Sequence, residues 1–364
     1  MSGGARPVME GETDAPLGGA LMRAEIDEQP ERWAGLIPSQ RDAWERAVAL
    51  VREARPELFA FVARGSSDHA AIYGQYLVQN VLGIPAMLTT PSTHSVFGTT
   101  QAYPRGVQLA LSQSGRSPDL IATAAALREA GLPLVAATND AASGLADAAD
   151  LHLDLAAGPE RSVAATKSYT AELLAVRTLA RAVAGASLDA LAAETADAAR
   201  AARALLDRLP SFVGSIVADV LDVQRIVLVG RGYSMATAKE GALKLMETSG
   251  VAASGWSAAD ATHGPLGQVD AGTLVVALTA SPGGRESVGD FSEAALARGA
   301  RVLEIGPGTV AGATWSLDAA SAAHPELVPM LEILPLQLLA ADLSVRRGLD
   351  PDRPLGLSKV TLTR

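Results

Sequence analysis

Three residues that can move protons stand close together in one stretch of the chain. Residues 230–267 place Lys244 and Glu247 in a helical pattern and a lone His263 before Gly264-Pro265. An ammonium, a carboxylate and an imidazole are groups that proteins use for general acid–base catalysis. Lys244 precedes Glu247 by three positions, so both side chains fall on one face of a helix. This stretch predicts a site for proton transfer.

Two serine-rich turns predict an anion site. They comprise Ser112, Gln113, Ser114 and Ser117 in the segment LALSQSGRSPD (109–119), and Ser66 and Ser67 in an earlier turn. Each turn follows an apolar strand and opens a helix, where free N–H groups and the helix dipole attract an anion. The G-x-G-x-x-G spacing of dinucleotide sites is missing, so a phosphomonoester fits better. Serines that only cap helices would give the same pattern.

The stretch that carries Lys244 and Glu247 has a counterpart earlier in the chain. The turn at 64–67 aligns with that at 231–234, and the turn at 112–114 with that at 279–281, both at an offset of 167 residues. A constant offset with the same strand–turn–helix order predicts two copies of one domain. Chance recurrence of strand–glycine–helix units is the alternative. The turn at 279–284 has fewer hydroxyls and a proline, so we expect only the first copy to hold phosphate.

Strand and helix signals alternate within each copy. Apolar runs predict strands at 58–63, 86–89, 107–111, 133–137 and 151–155, and again at 226–230, 273–278 and 301–304. The alternation predicts an α/β fold of two mostly parallel sheets flanked by helices, each a flavodoxin-like three-layer sandwich. The Ala- and Leu-rich region 166–222 predicts one long helix, a second around 188–208 and a third at Ser211–Leu221.

These patterns divide the chain into six expected segments. They are a leader without structure at 1–21, a helical segment at 22–56, a phosphate-binding first domain at 57–186, a helical linker at 187–223, a second domain carrying Glu247 and His263 at 224–349, and a tail carrying Lys359 at 350–364.

Composition excludes several classes of function. The 364 residues include 30 Lys and Arg against 40 Asp and Glu, a formal charge of −10, and no basic patch, so we expect no nucleic-acid partner. Cysteine is absent, which removes disulfides and thiolate chemistry. The histidines at 94, 152 and 324 lack ligand spacing, so no metal site is expected. Without a membrane-length apolar run or a secretory signal, the expected location is the cytoplasm and no membrane partner is expected.

Taken together, the motifs resemble those of the SIS (sugar isomerase) domain family. They are LSQSGRSPD, the RGSS turn, ERSVAATKS at 160–168, EGALKLMET at 240–248, HGPL at 263–266 and LSK at 357–359. The resemblance covers about 22–364 and implies two tandem SIS domains. It is especially close to the isomerase half of glutamine–fructose-6-phosphate aminotransferase and to stand-alone glucosamine-6-phosphate deaminases.

The resemblance implies a set of site residues. Those implied to bind the sugar phosphate are Ser66, Ser67, Ser112, Gln113, Ser114 and Ser117. Glu247 matches the carboxylate that moves a proton between carbons 1 and 2, and Lys244 a lysine near the sugar. His263 matches a histidine that helps open the sugar ring from the partner subunit, which implies a homodimer. Lys359 matches a lysine that contacts the open-chain carbonyl, and Val163 a backbone contact. No cofactor is implied.

The resemblance leaves the reaction open among related possibilities. The aminotransferase draws ammonia from glutamine with a cysteine nucleophile, which this chain lacks, so we expect deamination of glucosamine 6-phosphate to fructose 6-phosphate. Action on fructoselysine 6-phosphate or galactosamine 6-phosphate is an alternative, and so is a non-catalytic sugar-phosphate sensor. The identity of the sugar stays open because the sequence departs from the aminotransferase pattern at Arg116, Ser117, Ala165, Met246, Ala259 and Asp260.

Overall fold

The computed structural model describes residues 18–99, 101–320 and 324–359. The first 17 residues of the expected leader and the last five of the expected tail lie outside these ranges. The helices and strands of the first half are α1 (Ala20–Asp27), α2 (Gln29–Leu36), α3 (Arg41–Ala54), β1 (Leu58–Val62), α4 (Ser66–Leu82), β2 (Ala86–Leu88), α5 (Pro91–Ser95), β3 (Gly106–Ser112), α6 (Pro118–Glu129), β4 (Leu134–Thr138), α7 (Gly144–Ala148), β5 (Leu151–Asp154) and α8 (Lys167–Val183).

The second half repeats this order after a long helix. Its elements are α9 (Leu188–Val217), β6 (Arg225–Gly230), α10 (Ser234–Ser249), β7 (Ala252–Ser257), α11 (Ala258–Ala261), β8 (Thr273–Leu278), α12 (Arg285–Leu296), β9 (Arg301–Ile305), β10 (Trp315–Leu317) and α13 (Val328–Arg346). Short 3-10 turns occupy Pro38–Gln40, Pro265–Gln268, Pro282–Gly284 and Pro325–Leu327.

Each half forms one five-stranded sheet. The strand orders are β2-β1-β3-β4-β5 and β7-β6-β8-β9-β10, and every strand pairing within the described residues is parallel. The order 2-1-3-4-5 is that of flavodoxin-like sheets, which bind ligands where strands 1 and 3 adjoin. The expected α/β fold of two flavodoxin-like three-layer sandwiches is therefore confirmed, with sheets that are parallel throughout.

The duplication extends through most of each sheet. Matching elements begin 167 residues apart at 58 and 225, 106 and 273, 118 and 285, and 134 and 301. The two edge strands β7 and β10 escaped prediction. β7 reads AASGWS and is largely half-exposed, and β10 has only three residues, so neither forms an apolar run.

Helices from both halves form a shared layer between the sheets. Phe59 and Phe61 of β1 and Leu228 of β6 point into one continuous core, while Ala60 and Val62 pack on the outer face of the first sheet. Burial on both faces explains why these strands read as continuous apolar runs. α4 and α10, the matching helices of the two copies, contact each other in this layer.

The linker differs from its expected form. Two separate helices around 188–208 and Ser211–Leu221 were expected, but α9 runs unbroken from Leu188 to Val217 through Pro210. A proline inside a helix removes one backbone hydrogen bond. The apolar face continues across it through the buried Leu209 and Val213, so packing outweighs the lost bond.

One stretch of the described chain, Pro325–Arg346, is long and apolar enough to cross a membrane by length and composition. Inside the fold, 89% of its most apolar window is buried, as in a core helix. α13 makes up most of this stretch and packs on α10, α9 and α1.

A buried acid on α13 should make stability depend on pH. Burial raises the pKa of Glu332 from 4.5 to about 8, although Ser234, Thr237 and the Ala280 backbone partly oppose the rise. The folded protein then holds a proton that the unfolded chain releases, so the stabilisation is complete below pH 4.5 and is lost as the pH rises through about 8.

We predict that Glu332→Gln, which keeps the neutral shape, flattens this pH dependence. The wild-type free energy of unfolding should fall relative to that of the variant by the order of a few kcal/mol across the range. Urea unfolding at intervals across that range measures the effect, with the exposed Glu293→Gln as control. Parallel pH profiles for wild type and Glu332→Gln would contradict the prediction.

Candidate active site

A cavity of about 500 Å³ opens at the carboxyl ends of β1 and β3. This is the switch point at which sheets of this strand order bind ligands. Nine of the residues expected from the sequence line it: Ser66, Ser67, Ser112, Gln113, Ser114, Ser117, Val163, Glu247 and Lys359. They come from both copies and from the tail, so the cavity lies where the first domain, α10 and the tail meet.

The turn between β3 and α6 is built to present hydrogen-bond donors. Ser112 Oγ accepts from the Gly115 amide at 3.1 Å, and Ser114 Oγ accepts from the Arg116 amide at 3.3 Å. Ser117 is the N-cap of α6 but makes no side-chain cap bond. The oxygens of Ser112 and Ser114 both accept, so they shape the turn, while the O–H groups of these two serines and of Ser117 remain able to donate to an anion.

Gly115 fixes this turn against the neighbouring α7. Its φ is +60°, and a Cβ added there would lie 2.2 Å from Ser143 Oγ. The Leu145 amide also donates to the Gly115 carbonyl at 3.0 Å. A side chain at this position would strain the backbone and displace the turn.

In the turn between β1 and α4, both serine hydroxyls bond to other side chains of the protein. Ser67 Oγ donates to Glu172 Oε1 of α8 at 2.7 Å, and Ser66 Oγ accepts from Lys244 Nζ at 3.1 Å. Burial raises the pKa of Glu172 well above its usual range, and the nearby carboxylates of Glu160 and Glu240 raise it further. Because Ser67 donates its hydroxyl proton to Glu172, the free amides of the first turn of α4 are among the groups left for an anion.

An ion pair joins the two serine-rich turns. Arg64 Nε contacts Asp119 Oδ2 at 3.1 Å, and the Asp119 side chain is 2% exposed. Asp119 lies in the first turn of α6, whereas Arg64 lies in the turn between β1 and α4. The two turns are therefore joined through a buried carboxylate.

Glu247 reaches the cavity from α10 with Lys244 behind it. Lys244 Nζ lies 2.7 Å from Glu247 Oε2 and 3.3 Å from Glu240 Oε1, and its side chain is fully buried. Burial alone would lower the pKa of Lys244, but these two carboxylates raise it above its usual value. Lys244 therefore stays an ammonium and is not among the residues that line the cavity.

Lys359 is held in the cavity wall by Glu160, a carboxylate that was not predicted as a site residue from the sequence. Its Nζ lies 2.7 Å from Glu160 Oε2. Glu160 also accepts from the Thr166 and Ser168 amides at 3.0 Å at the start of α8. Burial opposes ionisation, but Lys359 and these amides lower the pKa of Glu160 below its usual value. Glu160 is the first residue of the ERSVAATKS motif, so this motif was the sequence signal that could have identified Glu160 as a site residue.

The tail that carries Lys359 is clasped to the first helix. Asp352, which is buried, accepts from the amides of Gly19, Leu21 and Met22 at 3.0, 3.0 and 2.8 Å. The Val163 amide donates to the Asp352 carbonyl at 3.2 Å. One aspartate thus joins the start of α1, the tail and the loop that lines the cavity.

His263 lies apart from this cavity. It follows α11 beyond edge strand β7, is exposed, and does not line the cavity of its own chain. The residues that the structure describes contain no cluster of three or more His, Asp or Glu side chains that could hold a metal ion.

The sequence profile of the SIS domain matches residues 57–182 and 220–347, so the chain belongs to the SIS-domain family. It is 32% identical to the isomerizing glutamine–fructose-6-phosphate aminotransferase of Methanothermobacter thermautotrophicus over 356 residues. That match covers 93% of this chain but 57% of the relative, so the chain spans little more than half of the relative's length.

Solved structures give the same fold. A candidate phosphosugar isomerase from Silicibacter pomeroyi DSS-3 matches with a TM-score of 0.76 at 32% identity, covering 91% of this chain and 99% of that one. A glucosamine-6-phosphate deaminase from Thermotoga maritima matches with a TM-score of 0.77 at 22% identity, covering 94% and 100%. The chain is thus an SIS-family protein with the fold of phosphosugar isomerases.

We predict that Gly115→Ala weakens phosphate binding at least about tenfold, because the added carbon forces the turn away from Ser143. Calorimetric titration with glucosamine 6-phosphate measures this. Gly83→Ala is the matched control: its φ is +67°, yet no atom lies within 4 Å of the added carbon. It should cost about 1 kcal/mol of stability and leave binding unchanged. Equal binding by wild type and Gly115→Ala would rule out the assigned role of this turn.

Proposed function

We propose that the protein converts glucosamine 6-phosphate and water to fructose 6-phosphate and ammonia. The observation that carries this proposal is that Glu247, Lys359 and the serine turns line one cavity. A carboxylate, an ammonium and an anion cradle are what an aldose–ketose rearrangement of a sugar phosphate requires. The aminotransferase similarity supports the same substrate class.

The phosphate is bound first. It sits between the start of α6 and the start of α4, with the hydroxyls of Ser112, Ser114 and Ser117 and the first-turn amides of α4 as donors. This anchoring brings carbons 1 and 2 of the open-chain sugar toward Glu247, since the cavity continues from the turns to that carboxylate. The chain carries a formal charge of −10, so the attraction for the phosphate comes from these local donors.

The proton transfer follows ring opening. Glu247 removes the proton from carbon 2 of the aldehyde form, oxygen 1 takes up a proton from the Lys359 ammonium, and an enolamine forms. Glu247 returns its proton to carbon 1, and the resulting iminium nitrogen gives a proton back to Lys359, which leaves an imine at carbon 2. Water adds to the imine, and ammonia leaves with formation of the fructose 6-phosphate carbonyl. Lys244 fixes the Glu247 carboxylate, and Lys359 contacts oxygen 1.

His263 acts in this proposal from a second copy of the chain. It is exposed and outside its own cavity, so it reaches a site only across an interface between two protomers. In the homodimer, His263 of one protomer helps open the sugar ring in the cavity of its partner. The phosphate turns and Glu247 of a given cavity come from the same protomer.

We predict that Glu247→Gln lowers the rate of ammonia release from glucosamine 6-phosphate by at least about 10²-fold, because the amide cannot act as a base. Binding of the sugar phosphate should persist, since the turns are untouched. A coupled ammonia assay and calorimetry measure the two effects, with Glu293→Gln on the exposed face of α12 as control.

Galactosamine 6-phosphate and fructoselysine 6-phosphate are assayed beside glucosamine 6-phosphate. Release from one of these alone would keep the mechanism and replace the sugar. Binding of all three without ammonia release by wild type would contradict the deaminase proposal.

We predict that two inactive variants restore activity when mixed. A heterodimer of Glu247→Gln and His263→Asn chains has one complete site, so random exchange of subunits restores about one quarter of wild-type activity. Mixing Glu247→Gln with a chain that carries both substitutions gives no complete site and is the control. No recovery after demonstrated subunit exchange would show that His263 does not act across an interface.

A further inference from the structure

A fifth histidine lies behind the cavity and has no role in the reaction described so far. His69 stands three residues after Ser66 on α4, and its Nδ1 lies 2.8 Å from Glu240 Oε2 on α10. The His69 side chain is 18% exposed and that of Glu240 is fully buried. This contact therefore joins the first copy to the helix of the second copy that carries Glu247.

The contact continues as an unbroken row to Glu247. Glu240 Oε1 lies 3.3 Å from Lys244 Nζ, and the same Nζ lies 2.7 Å from Glu247 Oε2. One buried ammonium is thus shared by two carboxylates, of which only Glu247 reaches the cavity. A hydrogen-bond donor that approaches Glu240 from another direction therefore affects how strongly Glu240 attracts Lys244 away from Glu247.

His69 supplies that donor. Burial opposes ionisation of Glu240, while Lys244 and His69 lower its pKa below the usual value. Because interactions between charges are stronger in a buried, weakly polar environment than in water, a change at His69 is felt along the row.

We propose that His69 is a positioning residue for the base Glu247, holding Glu240 so that Lys244 fixes the Glu247 carboxylate. The proposal rests on the function proposed above for Glu247. The contacts that link His69 to Glu247 are present in the structure whatever that function is. His69 touches neither the cavity nor the sugar, so it acts through Glu240 and Lys244.

Several other groups surround the His69–Glu240 pair, and they set its background charge. They are Asp68 on α4, Lys239 and Lys244 on α10, Tyr169 and Glu172 on α8, and Arg64 before α4. Burial raises the pKa of Glu172 well above its usual range.

The ring signals of His69 test the coupling without any activity. Nuclear magnetic resonance of ¹³C-labelled histidine rings, assigned with His69→Asn, compares wild type and Glu247→Gln at one fixed pH. Loss of the Glu247 charge leaves Lys244 to Glu240 alone, so the contact between His69 and Glu240 should change and the ring signals of His69 should shift. Coupling between two sites is reciprocal, so this shift also reports that His69 is coupled to Glu247.

His152 is the internal control in the same spectra. It bonds Thr138 Oγ1 at 2.8 Å within the first sheet, away from the row, and should not shift. Unchanged ring signals of His69 in Glu247→Gln would overturn the proposal whatever reaction the protein catalyses.

Kinetics test the consequence for the base. His69→Leu removes the donor, so we expect kcat to fall about tenfold with KM unchanged and the acidic limb of the kcat/KM profile to move. His69→Asn keeps an N–H for Glu240 and should restore most of kcat. Wild-type kcat and pH profile in His69→Leu, or equal loss in both variants, would overturn the proposal. Absence of ammonia release by wild type would instead count against the proposed function and leave the ring signals of His69 to decide the coupling.

Discussion

The buried ammonium of Lys244 is the interaction on which the site depends. It contacts Glu240, Glu247 and Ser66, so it holds together α10 of the second copy and the first turn of α4 of the first. An unpaired charge at such a position would be strongly destabilising, whereas a paired one fixes the groups around it. The carboxylate that faces the cavity and the turn proposed to bind the phosphate are thus positioned by the same side chain.

A second constraint closes the other side of the cavity. The helices before the first sheet hold the loop that contains Val163: Glu25 accepts from the Arg161 and Ser162 amides, and Lys167 pairs with Glu28 at 2.8 Å. Asp352 then joins the same helix start to the tail. The amino-terminal helices, which contribute no group to the cavity, therefore determine where Glu160 and Lys359 stand.

The sequence was sufficient for the parts of the molecule that rest on periodic pattern. The offset of 167 residues predicted the duplication, and apolar runs buried on two faces predicted the central strands. It failed where tertiary contact overrides local signal, as at the edge strand β7 and at Pro210 in α9. The sequence indicated serines at both turns. It could not show that the hydroxyls of Ser66 and Ser67 bond to Lys244 and Glu172. The roles of Glu160 and His69 depend on contacts with residues far away in the chain. No local sequence pattern reveals these contacts.

The two copies contribute different residues to the cavity. Asn80 occupies in α4 the position that Glu247 occupies in α10, 167 residues later, and it donates to the hydroxyl of Tyr233. Conversely, the second copy carries Ala280 where the first has Gln113. The first copy supplies the serine turns of the cavity and the second copy supplies its carboxylate. A single copy separated from the other would therefore lack one of these two parts.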